Sequence, residues 1–194
     1  MEKFDWSEGI ENYIDALSSG SAVPGGGSAA AAAAAFGCGL ALMAIATTLK
    51  LKSTNPAFIT PLASAENGLK TSLGKFKNFV TQDSVVYQKY LETKKAAKAD
   101  PSISINPALK EIAVVPIDCA LECMVVLKET GKIKSGVAPM IISDMNCAEH
   151  LLLAALKCCV ENMKINLPYV KEAAVEEMLK QTIEQALKTA EARP

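Results

Sequence analysis

The sequence predicts an all-α protein in which residues 1–194 form a single helical bundle domain of about six helices. Apolar residues recur at steps of three and four along most of the chain, which is the period of a helix that buries one face. Alternation with a period of two, typical of a half-buried strand, is confined to residues 102–105. Half of the residues are apolar, and a chain of this length can bury a core of its own.

The first two predicted helices are separated by a glycine-rich turn. Ser7 is a candidate N-cap for a first helix that ends near Leu17. The glycine turn consists of Pro24, Gly25, Gly26, Gly27 and Ser28. Ser28 is expected to be the N-cap of an Ala-rich second helix, which ends near Lys52.

The Ala-rich helix could be either a membrane span or a buried helix. Residues 29–49 carry no charge, which is long enough to cross a bilayer. However, alanine is only weakly apolar, and no second segment of this kind occurs. We therefore predict no membrane span and interpret the segment as a central helix, buried on all sides, whose small side chains let its neighbours approach closely.

The third and fourth helices are bounded and interrupted by prolines and glycine. A long third helix is predicted over residues 61–99. A fourth is predicted over residues 107–130, with Asn106 as its N-cap and Gly131 as its C-terminal stop. Pro116 lies inside this fourth helix and is expected to kink it.

The last two helices follow a connector that contains glycine and proline. A fifth helix is predicted over residues 143–164, with Asn166 in the position of a C-cap. A sixth is predicted over residues 169–190, directly after Pro168. Its many Glu and Lys residues indicate a solvated outer face.

The charges exclude several classes of protein. Lys and Arg total 20, Asp and Glu total 21, and Arg193 is the only arginine. A chain without a net positive field has no compositional support for nucleic-acid binding, so we expect no nucleic-acid partner. The opening residues are acidic and lack the apolar core of a signal peptide, which favours a cytoplasmic protein.

The cysteines are expected to be free thiols that act as small core hydrophobes. Six occur, mostly within apolar runs: Cys38, Cys119, Cys123, Cys147, Cys158 and Cys159. No Cys-x-x-Cys pair is present, and His150 is the only histidine, so no metal site is predicted. His150 is interpreted as a structural residue.

Three aspartates occupy positions where the helical pattern calls for apolar residues. Asp83 lies on the apolar stripe of the third helix, Asp118 is the only charge in residues 112–121, and Asp144 follows Ile141 and Ile142. A carboxylate on a buried face costs several kcal/mol unless it is paired, hydrogen-bonded or protonated. Burial also raises a carboxyl pKa toward the range of general acid–base catalysis. The alternative is that these aspartates cap helix ends or pair with lysines.

The glycine turn is the second candidate site. Consecutive glycines allow a ligand to approach the backbone closely, and the helix that follows offers unpaired N–H groups. The turn is not a Walker loop, because no Gly-Lys-Ser or Gly-Lys-Thr follows, and no strand precedes it as in a dinucleotide-binding motif. The alternative is a flexible turn into a capped helix.

Together these residues resemble the formiminotransferase-cyclodeaminase C-terminal family. The Pro-Gly-Gly-Gly-Ser sequence before an Ala-rich helix is similar to the family's signature. The resemblance extends over roughly residues 5–170 through several short motifs. They are Thr48 with Lys52, Asp83 with Tyr87, Pro116-Ile117-Asp118, Ser143-Asp144 and Ile165-Asn166-Leu167.

The resemblance implies an all-helical homodimer that acts on a tetrahydrofolate derivative, with no metal and no nicotinamide cofactor. The family's cyclodeaminase closes 5-formiminotetrahydrofolate to 5,10-methenyltetrahydrofolate and releases ammonia. Its cyclohydrolase interconverts the methenyl and 10-formyl forms. We expect the first reaction, with the second as the alternative.

The resemblance also implies roles for individual residues. Asp118 and Asp144 are expected to be the acid–base pair, and Asp83 to orient one of them or bind the N–H edge of the pterin. The glycine turn is expected to lie against the folate. Lys52 would attract its glutamate tail, and Ser143 and Asn166 would complete the binding residues.

Two departures from the family pattern support a third interpretation. Lys50-Leu51-Lys52 lacks the glycine that usually precedes the basic residue, and residues 137–142 lack the family's asparagines. A divergent helical protein that binds folate or a partner without catalysis is therefore the remaining alternative.

Overall fold

The computed structural model describes residues 7–193 and contains no strand within them, so the predicted all-α fold is confirmed. A π-helical turn, Ser7–Glu11, leads into the first α-helix. The six α-helices are α1 (Asn12–Ser18), α2 (Gly26–Lys50), α3 (Pro56–Ala99), α4 (Asn106–Ile133), α5 (Ile142–Asn166) and α6 (Ala173–Glu191). Short 3₁₀ turns lie between them at Lys134–Gly136, Pro139–Ile141 and Leu167–Tyr169.

Helices α2 to α5 form an antiparallel four-helix bundle, and α6 packs along α4 and α5. The direction of each pair follows from contacts at both ends. Near the start of α2, Ser28 bonds Val80 late in α3, whereas farther along α2 Cys38 bonds Leu69 earlier in α3. Likewise, Ser72 contacts Glu122 and Lys89 contacts Glu111 between α3 and α4.

Small residues allow α2 to pack very close to α5. The inner face of α2 is buried and consists mainly of alanine. A Cβ atom at Gly37 would lie 2.8 Å from the carbonyl oxygen of Ala148 and 3.0 Å from Cγ of Leu152. The two backbones are therefore closer at this point than any side chain larger than hydrogen would permit.

The outer face of α2 corrects the expectation that this helix is buried on all sides. Within the described chain Phe36 is 53% exposed and Met43 is 39% exposed. The reason is that α2 is one of four helices in a ring, so only the sides toward α3 and α5 are covered. By length and composition α2 could cross a membrane, and it is the one helix within residues 7–193 of which this holds.

Two capping predictions near the helix starts are wrong. Gly25, not Ser28, occupies the N-cap position of α2, because the side chain of Ser28 turns away from the helix to bond α3. Asn106 is the first residue of α4 rather than its cap, and its N–H is accepted by the hydroxyl of Ser104 instead. The side chain of Ser7 lies outside the described residues, so its capping role stays a prediction.

Several predicted boundaries also shift. Helix α3 begins at Pro56 because Asn55 caps it by accepting from the N–H of Ala57, and the helix continues through Pro61. Helix α4 continues past Gly131, with Pro116 inside it as predicted. Helix α6 begins four residues later than expected, since Pro168 belongs to a 3₁₀ turn.

Candidate active site

The glycine turn lines a cavity of about 240 Å³ at one end of the bundle. Three helices contribute side chains to the same cavity: Asp83 and Tyr87 from α3, Pro116 from α4, and Asn162 and Asn166 from α5. The structure thus brings together the glycine turn, Asp83 and Asn166, which the sequence singled out separately.

The carboxylate of Asp83 is held by the first turn of α2. Its Oδ2 atom accepts a hydrogen bond of 2.9 Å from the backbone N–H of Ser28. This N–H is one of the backbone N–H groups in the first turn of a helix that have no partner within the helix. A Cβ atom at Gly27 would overlap Oδ1 of Asp83, so glycine is required there for the carboxylate to reach the helix end.

The pKa of Asp83 is raised above its ordinary value. Burial of the carboxyl group is the main cause, the hydrogen bond from Ser28 lowers the pKa in part, and the nearby Cys119 raises it further. A half-buried carboxyl group with a raised pKa at the edge of a cavity is suited to accept and return a proton.

Ser28 connects this carboxylate to α1. Its hydroxyl donates to the carbonyl oxygen of Val80 at 2.8 Å. Since that bond uses the serine proton, the hydroxyl of Tyr13, 2.8 Å away, donates to Ser28 Oγ. Burial raises the pKa of Tyr13, which keeps the phenol protonated for this role.

Two asparagines on one face of α5 form the opposite wall of the cavity. The amide of Asn166 donates to the carbonyl oxygen of Ile112 in α4 at 3.1 Å, so it links two helices rather than capping one. The amide of Asn162 donates to the carbonyl oxygen of Cys158, and its Oδ1 atom lies 3.5 Å from a Cβ built at Gly26. Sequence reasoning missed Asn162, although its spacing of four residues from Asn166 places both on the same helical face.

Lys52, Ser143 and Asp144 lie at the other end of the bundle. Lys52 is exposed just beyond α2, whose length separates it from the glycine turn by about 36 Å. Ser143 and Asp144 begin α5, which joins the same end because Ala138 donates its N–H to the hydroxyl of Thr48. The hydroxyl of Ser143 donates to Oδ2 of Asp144 at 3.4 Å. Within one chain these residues do not share the cavity with Asp83.

Asp118 is exposed, so the expectation that it lies on a buried face is wrong. The residues on either side of it are buried, but Asp118 lies on an outward stripe with Leu121 and Val125, which are themselves 39% and 51% exposed. Local desolvation still raises its pKa, as does Cys119, whereas Lys75 lowers it. The structure does not bring Asp118 and Asp144 together in one chain.

The six cysteines are free thiols, as predicted, but only four are buried. Cys147 and Cys158 are exposed, since they lie on the outer side of α5. No group of three or more His, Cys, Asp or Glu within residues 7–193 is arranged to hold a metal ion.

Comparisons with known proteins agree on one group of relatives. Residues 9–185 match the family model described as formiminotransferase-cyclodeaminase. The chain is 28% identical over 184 residues to methenyltetrahydrofolate cyclohydrolase from Methylorubrum extorquens, a match that covers 90% of this chain and 87% of the relative. The crystal structure of formiminotetrahydrofolate cyclodeaminase from Thermotoga maritima has the same fold, with a TM-score of 0.84 and 21% identity over 94% of this chain and 90% of that one.

Proposed function

Because this chain belongs to the formiminotransferase-cyclodeaminase family, we propose that it is a folate one-carbon enzyme whose cavity at the glycine turn binds a tetrahydrofolate. The reacting atom is the carbon that the substrate carries at N5, at N10 or between them. Both reactions known for this family pass through a tetrahedral carbon, and both require proton transfer to or from nitrogen or water.

The position of Asp83 carries this proposal. Asp83 is the one carboxylate among the described residues that line the cavity, and its pKa is raised by burial. In our proposal it therefore takes the acid–base role within a chain, in place of the pair of Asp118 and Asp144. A carboxylate can also bind the N–H edge of a pterin, and the experiment below separates these two roles.

The first candidate reaction is methenyltetrahydrofolate cyclohydrolysis, which the 28% identical relative favours. The oxygen of a water molecule attacks the cationic methenyl carbon, and Asp83 accepts a proton from this water. A proton is then delivered to N5 as the bond between this carbon and N5 breaks. The hydroxyl proton leaves as the formyl group forms on N10, so that one proton is released overall.

The second candidate is the cyclodeaminase reaction, which the match to the family model favours. Here N10 attacks the formimino carbon, and the proton that N10 loses passes to the formimino nitrogen. Protonated Asp83 delivers a second proton to this nitrogen, which leaves as ammonia when its bond to the carbon breaks, and the methenyl cation remains between N5 and N10. In this direction the protonated form of Asp83, which its raised pKa favours, is the useful one.

The remaining cavity residues supply binding groups. Tyr87 offers a ring and a hydroxyl, while Asn162 and Asn166 offer amide oxygens for the N–H groups of a pterin. Neither reaction changes an oxidation state, so the proposed chemistry requires no nicotinamide, and proton transfer by side chains is enough to account for it.

An absorbance assay of the methenyl chromophore tests the proposal. Formation of methenyl from 5-formiminotetrahydrofolate, with ammonia released, identifies a cyclodeaminase. Loss of added methenyl faster than in buffer, without activity on the formimino compound, identifies a cyclohydrolase. Absence of both signals in folded protein contradicts the proposal and favours a non-catalytic folate-binding protein.

The variant Asp83→Asn separates proton transfer from binding. If Asp83 transfers protons, kcat falls by about 10²- to 10⁴-fold and one limb of the pH profile of kcat disappears: the acid limb where Asp83 acts as a base in the cyclohydrolase reaction, and the alkaline limb where it acts as an acid in the cyclodeaminase reaction. If Asp83 only binds the pterin, KM rises and kcat is retained.

A further inference from the structure

The side of α3 that reaches the cavity continues beyond it with two tyrosines and a lysine. Asp83, Tyr87, Tyr90 and Lys94 follow one another at steps of four, three and four residues, which places them on one side of the helix. Asp83 and Tyr87 line the cavity at the glycine turn, and the next two residues lead away from it. We call these four residues the α3 track. It starts with a carboxylate, passes two aromatic rings and ends with an ammonium group.

Helix α3 extends far past the start of α2. Ser28, in the first turn of α2, bonds Val80 and Asp83, so α2 begins level with the middle of α3. From Asp83 the helix continues to Ala99, which is a further length of about 24 Å. Helix α2 therefore does not cover the α3 track beyond the cavity. Tyr87 is 38% exposed, Tyr90 is half-buried and Lys94 is exposed.

The last three side chains of the α3 track contact one another. The ring centroids of Tyr87 and Tyr90 lie 5.7 Å apart, and the ring planes are inclined at 43°. Nζ of Lys94 lies 5.5 Å from the centroid of the Tyr90 ring, which is the distance of a cation–π contact. The three side chains thus form one surface, first aromatic and then cationic, that leads out of the cavity.

The ammonium group of Lys94 is not neutralised by a carboxylate of the described chain. It forms no salt bridge within residues 7–193. Glu92, the acid closest to it in the sequence, lies on nearly the opposite side of α3, because two residues span more than half a helical turn. Lys89, by contrast, is paired with Glu111 of α4 at 2.7 Å. Lys94 is therefore available to the carboxylate of a ligand.

We propose that the α3 track binds the tail of the folate, with Tyr87 and Tyr90 against the aminobenzoyl ring and Lys94 paired with a glutamate carboxylate. This subsite rests on the proposed function, since it requires the reacting carbon to lie in the cavity beside Asp83. In a tetrahydrofolate the aminobenzoyl ring follows N10 directly, and the glutamate follows the ring. The order of groups in the ligand is thus the order of residues along the track.

The spacing of the track fits this ligand. Tyr87 and Lys94 lie about 10 Å apart along the helix axis. An aromatic ring followed by an amide and one extended amino acid has a length of this order, and the flexible lysine side chain takes up the remaining difference. Lys52, which the sequence suggested for the tail, lies about 36 Å from the glycine turn within one chain. Lys94 supplies a cation on the same chain and at the same end of the bundle as the cavity.

Equilibrium binding tests the track without any need for turnover. Titration calorimetry compares tetrahydrofolate, which carries the tail, with 6-methyltetrahydropterin, which lacks it. Lys94→Ala should weaken the binding of tetrahydrofolate by about 2- to 5-fold, the range of an exposed ion pair, and leave that of the tetrahydropterin unchanged. The loss should shrink at high salt, because salt screens exposed charges.

The matched control is Lys95→Ala. Lys95 is also exposed, carries the same charge and lies near the same helix end, but its side chain is turned by about 100° from that of Lys94. Effects of net charge and of the helix dipole are therefore similar in the two variants. Equal losses of tetrahydrofolate affinity in both variants would overturn the assignment of Lys94, as would an equal loss for both ligands in Lys94→Ala.

Variants of Tyr90 test the aromatic part of the track. Tyr90→Ala should weaken the binding of tetrahydrofolate by about 3- to 10-fold, whereas Tyr90→Phe, which keeps the ring, should retain it. In turnover the loss should raise KM and leave kcat unchanged. If Tyr90→Ala folds poorly, Lys94→Glu on the exposed end of the track takes its place. It puts a carboxylate opposite the tail and should weaken binding more than Lys94→Ala does, and affinity equal to the wild type would overturn the proposal.

The tail fragment 4-aminobenzoylglutamate separates this inference from the proposed function. Binding of the fragment that is weaker in Lys94→Ala than in Lys95→Ala supports the track even if the protein neither forms nor consumes methenyltetrahydrofolate. Turnover of a folate with the same KM in wild type, Lys94→Ala and Tyr90→Ala supports the proposed function and overturns the track. A folded protein that binds neither tetrahydrofolate nor the fragment overturns both.

Discussion

Oδ2 of Asp83 accepts the backbone N–H of Ser28 at 2.9 Å, across 55 positions of sequence. This bond places the carboxylate at the positive end of α2, where the helix dipole favours its ionised form. Burial acts in the opposite direction and raises the pKa. The balance between these effects leaves a carboxyl group that can exist in both protonation states within the cavity.

Adding a methyl group beside this bond should displace the carboxylate. In Gly27→Ala the new Cβ would overlap Oδ1 of Asp83. The Asp83 carboxylate must then move, and it loses its hydrogen bond from the N–H of Ser28. We expect kcat/KM to fall by about 100-fold, the effect of misplacing a reacting group by roughly 1 Å. The control is Gly74→Ala in α3, where a Cβ meets nothing within 4 Å and activity should be unchanged. Equal activity in the two variants would show that the position of Asp83 is unimportant.

Replacing the carboxylate by an amide should stabilise the protein while it abolishes activity. Because the folded-state pKa of Asp83 is raised, the protonated form favours folding; its contribution is complete below the ordinary aspartate pKa of 3.8 and is lost as the pH rises through the higher folded-state pKa. Asn resembles the protonated acid and can still accept from Ser28. Asp83→Asn should therefore have a higher Tm than the wild type at pH 7, and the difference should shrink as the pH approaches 4. Thermal unfolding at a series of pH values measures it, and a variant less stable at pH 7 would contradict the desolvation argument.

The seam between α2 and α5 should not tolerate a small increase in volume. Gly37→Ala places a Cβ 2.8 Å from the carbonyl oxygen of Ala148, which is backbone and cannot rotate away. The variant should lose about 1–3 kcal/mol of unfolding free energy, as is typical of overpacking. Denaturant titration measures the loss. The control is Gly68→Ala in α3, where the new Cβ would meet nothing within 4 Å. A loss no greater than that of the control would mean that the helices separate at little cost.

The buried Glu122 should contribute more to stability than a surface acid. Its two oxygens accept from the hydroxyl of Ser72 at 2.6 Å and from the ammonium group of Lys75 at 2.7 Å. Glu122→Ala removes both bonds inside the bundle, and we expect a loss of about 1–3 kcal/mol. Glu66→Ala, which breaks a partly exposed pair with Lys70 on the next turn of the same helix, should cost less than about 0.5 kcal/mol. Urea unfolding measures the free energy of unfolding of both variants, and equal losses would contradict the larger contribution of Glu122.

The fold and part of the site could be predicted because local pattern and tertiary structure agree there. In α3 most residues of the stripe are apolar, so an aspartate on it is unusual, and the structure places Asp83 there partly buried. In α4 the pattern gives no such contrast, because Leu121 and Val125 are apolar yet exposed. Asp118 therefore looked buried among apolar neighbours although it points outward.

Other features depend on contacts between distant segments, which periodicity does not report. Ser28 has the sequence position of an N-cap, but its hydroxyl bonds Val80 instead. The separation of Lys52 from the glycine turn is already implied by the predicted second helix, which runs from one to the other, but the resemblance assigned both to one folate site and so did not reveal it. Asn162 could have been found from its four-residue spacing to Asn166.

The close approach at Gly37 limits how this protein can diverge. A smaller residue in place of Leu152 would not make room for a side chain at this position, because the nearest atom is the backbone carbonyl oxygen of Ala148. A larger residue is therefore compatible only with a wider separation of α2 and α5, which would leave cavities along the rest of the seam. Related chains that keep this spacing between the two helices are expected to keep a glycine here, whatever side chain they carry at position 152.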